Sequence, residues 1–156
     1  APDSSVSGRL SLHKYDTFVR KTPPVFTMVD GFAVRMFDKD DKTPKNTRLF
    51  LSSMGIVPEM ITNSNTSLGT VRMTLSAPLL DLDVAADGKT AHARLWDHGT
   101  VKEADIKDGL TIEAADGKRI RGRLNTDIKD LVGFNLYFDV ATASVCHGDS
   151  SGCGAD

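Results

Sequence analysis

The sequence predicts an all-β protein, a single-domain antiparallel β-sandwich, with a β-barrel as the alternative and at most one or two short helices. Three observations favour this class. About eight to ten segments alternate apolar and polar residues with the period of two that marks a half-buried strand. Turn signals recur about every 8–15 residues, and almost no segment has helical periodicity. Strands of varied length, joined by hairpins and by longer connections, favour the sandwich over the barrel.

Composition indicates one domain, spanning residues 1–156, with an ordinary hydrophobic core. The chain is 40% hydrophobic and 26% charged, which is typical of globular proteins. Its net charge of −2 provides no field that would attract nucleic acid, so no nucleic-acid partner is predicted. No apolar run approaches the roughly 20 residues of a membrane helix, so no membrane span is predicted either.

The first half of the chain contains most of the strands predicted from alternation alone, and the one predicted helix. The stretch Val25–Phe37 is either one bent strand or a tight hairpin that turns at Asp30-Gly31. The polar segment after it, Asp38–Asn46, is predicted to be an exposed loop. The other assignments are, in chain order, strand Val6–Leu12, strand Thr47–Ser53, a short helix in Gly55–Thr62 and strand Gly69–Ser76.

Two Asp-Gly pairs predict two hairpins, over about residues 79–96 and 110–124, because Asp-Gly favours the positive φ angles of tight turns. The segment A-A-D-G-K occurs at Ala85–Lys89 and again 29 residues later. In the strand after each turn, the residues predicted to face inward occupy corresponding positions in the two hairpins. In the strand before each turn, they are shifted by one residue relative to each other. The two are therefore independent hairpins rather than a repeat, with a bulge expected in one of them. Asp97–Asp108, between them, is predicted to be a loop or a short helical turn.

The stretch Phe134–Val145 is predicted to be the main core strand, because its apolar residues fall on one face and it is long and aromatic. The segment after it begins with Cys146 and contains the second cysteine, Cys153. A disulfide between them would close the tail 146–156 and stabilise the fold by roughly 2.5 kcal/mol. It would also require an oxidising compartment.

The predicted location is therefore periplasmic or extracellular. The first residues, Ala1–Ser5, are typical of a mature chain after signal-peptide removal, and nothing favours a eukaryotic over a bacterial source.

The cysteine loop offers two chemical interpretations, and both are weak. Gly148–Gly152 resembles the segment around the catalytic serine of trypsin-like proteases, but Ser151 replaces a glycine and no segment supplies the base. A zinc shell of Cys146, His147, Asp149 and Cys153 has no usual spacing, and an exported chain favours oxidation. No catalytic residue, metal or cofactor is therefore predicted.

The candidate ligand-binding site is a cluster around the sole tryptophan. A tryptophan beside arginine and histidine is a common way to bind an anion, a sugar or a partner side chain. The simpler alternative is that Trp96 is covered by a second sheet or turned into the core. The site consists of His92, Arg94, Trp96, Asp97 and His98.

A second charged row, Arg119, Arg121 and Arg123, lies on one face of a predicted strand. Nucleic acid or heparin would need a wider basic surface or interleaved aromatic residues. Pairing within the fold, with Asp81 and Asp83 of the other hairpin, is the favoured interpretation.

The expected function is that of an exported, non-catalytic β-domain that binds a protein partner, a glycan or a small ligand. Two alternatives stay open. One is an envelope hydrolase that uses His92, Asp97 and His98 once the fold brings them together. The other is a structural or assembly subunit of a surface or secretion complex, joined through an exposed strand edge. The sequence gives no basis for an oligomeric state.

Overall fold

A computed structural model describes residues 4–15, 17–37, 44–55, 78–97, 100–115 and 118–147, and ten β-strands lie within these ranges. No helix occurs in them, and consequently none with the length and apolar character needed to cross a membrane. The predicted helix after Gly55 and the predicted strand Gly69–Ser76 lie outside the described residues. The strands are β1 (Ser5–Leu12), β2 (Val25–Thr27), β3 (Asp30–Phe37), β4 (Pro44–Ser52), β5 (Leu79–Val84), β6 (Ala91–Asp97), β7 (Thr100–Ile106), β8 (Leu110–Ala115), β9 (Arg119–Ile128) and β10 (Val132–His147).

The long strand β10 connects two halves of one curled, open sheet. Its first part, residues 132–141, pairs antiparallel with β9, and residues 132–139 pair antiparallel with β1. After an irregularity between Thr142 and Ser144, its last residues pair parallel with β3. Half-sheet 1 therefore has the order β2-β1-β10-β9-β8, and half-sheet 2 has the order β10-β3-β4-β5-β6-β7.

The predicted all-β class is confirmed, and the arrangement is consistent with both the sandwich and its barrel alternative. The two half-sheets bury their inner faces in one shared core, as a sandwich does, yet β10 joins them as in a barrel that is not closed. Most inward positions predicted for β1, the hairpins and the last strand are buried, among them Leu10, Leu82, Leu95, Leu124, Leu136 and Phe138. Leu110 and Ile112, also predicted to point inward, are only partly buried against the core.

The stretch Val25–Phe37 bends from one half-sheet to the other, so the hairpin alternative is wrong. β2 pairs with β1, whereas β3 pairs with β4 and β10. The amide of Met28 donates to the carbonyl of Gly8 (3.0 Å), and the next amide donates to Ser52 (2.9 Å). Gly31 is part of β3, where a Cβ would stand only 2.6 Å from the Phe50 carbonyl. This glycine therefore permits close strand packing and does not form a turn.

The two predicted hairpins are present. The β5–β6 turn is closed by the Gly88 amide, which donates to the carbonyl of Ala85 (2.9 Å). Gly88 has a positive φ of 72°, whereas Asp87 does not, so the turn is longer than the predicted two-residue type. The β8–β9 pair contains the expected bulge, between Ile112 and Ala114. Its Asp-Gly pair lies outside the described residues.

Two loop predictions are wrong. Residues 44–46, at the end of the predicted polar loop, belong to β4, and the segment predicted as a loop or helical turn contains β7. β7 pairs with β6 along its whole length, from Asp97↔Thr100 to Ala91↔Ile106. Of residues 101–106 in this edge strand, the outer positions are exposed and Ile106 alone is buried, so its composition resembles that of a loop.

The arginine row on β9 pairs within the fold, although with partners other than those predicted. Arg119 Nε lies 2.8 Å from Asp139 Oδ1 on β10. The side chains of Arg121 and Arg123 both contact Glu113 on β8, at 3.3 and 3.1 Å. The predicted partners Asp81 and Asp83 are on the other half-sheet.

Candidate functional site

Strand alternation places part of the predicted site on the outer face of half-sheet 2. Along β6, Ala91, Ala93 and Leu95 are buried in the core, while the residues between them are only partly buried. The register brings side chains of β5 and β7 to the same face. We call this surface the β5–β7 face; it consists of Asp81, Asp83, His92, Arg94, Trp96, Val101, Glu103 and Asp105.

Two predicted site residues do not join this face. Asp97 is buried, and it accepts a hydrogen bond from Arg20 Nη1 (2.8 Å). The same guanidinium lies 5.3 Å from the ring centre of Phe26, a residue that packs against the core. Asp97 therefore helps to close one end of the core, and it is not brought to His92 as the hydrolase alternative requires. His98 lies outside the described residues.

The exposed part of the β5–β7 face is a network of ion pairs. His92 Nδ1 lies 2.8 Å from Asp105 Oδ1, and His92 Nε2 lies 3.1 Å from Glu103 Oε1. Arg94 Nε donates to the same Glu103 oxygen (3.0 Å). These contacts connect positions that are direct cross-strand neighbours on β6 and β7, or diagonal to them.

The other end of the face is a buried ion pair. Arg48 Nη2 lies 2.5 Å from Asp81 Oδ2, and Asp81 is fully buried while Arg48 is 8% exposed. The Arg48 guanidinium lies 5.5 Å from the ring centre of Phe50, which in turn contacts Phe32. Arg94 approaches Asp81 at 3.9 Å, so it connects the buried pair to the exposed network.

A recess of about 340 Å³ lies beside His92, at the ends of β5, β6 and β7. Asp83 lines it, and one of its carboxylate oxygens, Oδ1, is buried and accepts no hydrogen bond within the described residues. Asp105 and Lys107 also line the recess. A buried acceptor without a donor is costly, so this oxygen favours a donor supplied from outside.

Trp96 lies on the outer face, as predicted, and is half-buried. Val101 stands directly opposite on β7 and is 41% exposed. Together they form a small apolar spot at one end of the ion-pair network.

We predict that His92 titrates above its ordinary pKa of 6.5, because Asp105 and Glu103 accept hydrogen bonds from its charged form and outweigh partial burial and Arg94. The pKa of Glu103 is lowered by His92 and Arg94. Since the folded pKa of His92 exceeds its unfolded value, its contribution to stability is complete below about pH 6.5 and is lost as pH rises through the folded pKa. An NMR titration of the imidazole checks this, and a Glu103→Gln variant should lower the pKa. A wild-type pKa at or below 6.5 would contradict the geometry.

Sequence reasoning missed the acidic half of this site. Glu103 and Asp105 were assigned to a loop, and Asp81 was expected at the surface. The alternation of T-V-K-E-A-D-I was the available signal, because Lys102, Ala104 and Ile106 share one face of β7 and the acids share the other. Within the described part of the chain, no group of three or more histidine, cysteine or carboxylate side chains is arranged to hold a metal ion.

The chain matches no protein-family model, and comparisons with characterised proteins and with solved structures find no significant similarity.

Proposed function

We propose that the chain is an exported, non-catalytic β-domain that binds a protein partner through the β5–β7 face and the adjoining free edge of β7. The partner is an extended segment with cationic side chains. The observation that carries this proposal is Asp83: its side chain lines the recess beside His92 and Asp105, and its buried Oδ1 makes no hydrogen bond within the described residues. An ammonium or guanidinium group entering the recess would supply the missing donor.

The charge of the face supports a cationic partner. Four carboxylates, those of Asp81, Asp83, Glu103 and Asp105, are balanced by Arg94 on the face and by Arg48 of the neighbouring strand β4, which pairs with Asp81. The net charge is therefore −2 when His92 is neutral and −1 when it is protonated. Glu103 and Asp105 keep 50% and 71% of their side chains exposed, which leaves both able to contact a second cation.

The backbone of β7 supports an extended partner. β7 pairs with β6, and no other described strand pairs with it. Its remaining edge presents amide and carbonyl groups that an added strand can use. Side chains of such a strand would alternate, and those on the outer side would lie beside Val101, Glu103 and Asp105. An apolar side chain beside Val101 and Trp96, followed by two cationic ones, fits this row.

The test uses a capped nine-residue extended peptide in which every second residue, on one side of the strand, is first a valine and then lysines, so that the valine can lie beside Val101 and Trp96 and the lysines beside Glu103 and Asp105. Trp96 is the sole tryptophan of the chain, so its emission reports directly on this face. We expect saturable binding that shifts the emission. Asp83→Asn and the double change Glu103→Lys with Asp105→Lys should each weaken it by at least about tenfold, because they remove the acceptor charge or create repulsion.

The matched control is Glu113→Lys, which reverses an acid on β8, the edge strand of the other half-sheet. It should bind the peptide as the wild type does, and a valine–glutamate peptide should not bind. Affinity should fall as pH drops through the pKa of His92, because the face then becomes less negative. Equal affinity in the Asp83 and Glu103 variants would refute the proposed face.

Export is supported by the cysteine spacing. Cys146 lies in β10, and Cys153 lies outside the described residues, so the disulfide remains a prediction. Thiol titration of the denatured, unreduced protein should find no free thiol. Two free thiols would remove this support for export.

A further inference from the structure

We propose that the outer face of half-sheet 1 carries a second binding site, which takes an acidic oligosaccharide whose sugar rings carry carboxylates. The site is a groove of about 410 Å³ across β1, β10 and β9. Its polar lining includes Arg9, Ser11, His13, Asn125, Asp127 and Asn135. The proposal concerns a different half-sheet from the β5–β7 face and does not depend on the function proposed above.

The register of three strands builds the groove as two rows. In the first row, Arg9 on β1 stands opposite Asn135 on β10, which stands opposite Asn125 on β9. In the second row, Ser11 stands opposite Gly133, which stands opposite Asp127. Both rows lie on the solvent side of strands whose other residues are in the core.

Gly133 forms the floor of the groove. A Cβ at this position would stand 3.1 Å from Asp127 Oδ1 and 3.3 Å from His13 Nε2. The absence of a side chain lets His13 and Asp127 meet across the strand at 2.5 Å. The groove is thus bordered by the hydrogen-bonded pair of His13 and Asp127 at one end and by the Arg9 guanidinium at the other.

The chemistry of the lining suits hydroxyl groups and one carboxylate. Two carboxamides provide donors and acceptors side by side, which is what neighbouring sugar hydroxyls require. Arg9 has no ion pair and no side-chain hydrogen bond within the described residues, so its planar set of donors is available for a carboxylate. A nucleic acid would need a longer row of cations or stacking aromatic residues, and the groove has neither.

The fold keeps these groups in a fixed arrangement. β10 is paired on both sides along this stretch, and Phe134 and Leu136, which flank Asn135, are buried in the core. The backbone that presents the carboxamides is therefore held in place on both sides, so binding need not order the strands.

The test titrates the full chain with a trimer of galacturonic acid, followed by calorimetry and by the side-chain amide NMR signals of Asn125 and Asn135. We expect binding that shifts both amide signals. Arg9→Ala should weaken binding at least tenfold. Asn135→Asp should do the same, because it keeps the shape of the side chain but adds a negative charge that repels the carboxylates of the ligand. Both positions are exposed, so the variants should fold normally.

Two controls make the result decisive. Arg119→Ala removes an arginine from the same half-sheet face outside the groove and should leave the affinity unchanged. Maltotriose, a neutral trimer, should bind at least tenfold more weakly than the acidic trimer. The proposal is overturned by the absence of binding, by equal binding of maltotriose, or by an equal loss in the Arg119 variant, which would indicate unspecific charge attraction.

Discussion

Replacing Asp81 with alanine is expected to lower the free energy of unfolding by about 3–5 kcal/mol, the usual cost of leaving one member of a buried ion pair without its partner. Asp81 is fully buried and lies 2.5 Å from Arg48, which is itself 8% exposed. Without the carboxylate, Arg48 would keep its charge in a buried position, against the ring of Phe50. Urea denaturation of the variant and the wild type measures the difference.

Two further variants separate the buried charge from other effects of the substitution. Arg119→Ala breaks a partly exposed pair with Asp139 and should cost at most about 1 kcal/mol. The double variant Arg48→Met with Asp81→Leu replaces both charges by apolar groups and should recover most of the stability lost in Asp81→Ala. A double variant as unstable as the single one would show that the buried charge is not the cause.

The second large effect is expected for Gly8→Ala, with a loss of about 3 kcal/mol or more. Gly8 has a φ of 103°, which an alanine adopts only under strain. A Cβ there would stand 2.0 Å from the Asn135 carbonyl oxygen and 2.9 Å from the Leu136 Cα. Both atoms belong to the backbone of β10, which is paired on two sides and cannot move away cheaply. Hydrogen exchange should become faster at the β1 amides, and urea denaturation should measure the loss.

Gly55→Ala is the matched control, because no atom of the described residues lies within 4 Å of the added methyl and the residue is exposed. It should change the stability by no more than about 0.5 kcal/mol. A Gly8→Ala protein as stable as this control would mean that β1 shifts along β10 without cost.

Local patterns were enough to predict the elements with one buried and one solvated face. The last strand and the two Asp-Gly hairpins were predicted because alternation and turn chemistry agree there. β7 was missed because an edge strand buries little and has the composition of a loop. The choice between one bent strand and a hairpin at Val25–Phe37 stayed open in the sequence, because no local signal shows that β2 and β3 pair with different halves of the sheet.

The site was predicted on one strand only. The outward positions of His92, Arg94 and Trp96 follow from the period of two. Asp97 directly follows Trp96 in the sequence, yet its side chain lies on the inner face of β6, opposite to that of His92, Arg94 and Trp96. There it pairs with Arg20, a residue far away in the sequence. Asp81 was expected at the surface because a buried carboxylate depends on a distant partner, Arg48, which no spacing rule reveals.

The pairing of β10 with β1 and β3, two strands far from it in sequence, also limits the order in which this protein can fold. Its partners β1 and β3 are made early in synthesis, yet neither half-sheet can complete its pairing until the late residues of β10 have emerged. Contacts so distant in sequence slow folding, typically to the millisecond-to-second range of all-β domains. If the chain is exported as proposed, this delay favours passage of an unfolded chain across the membrane, with folding completed on the far side.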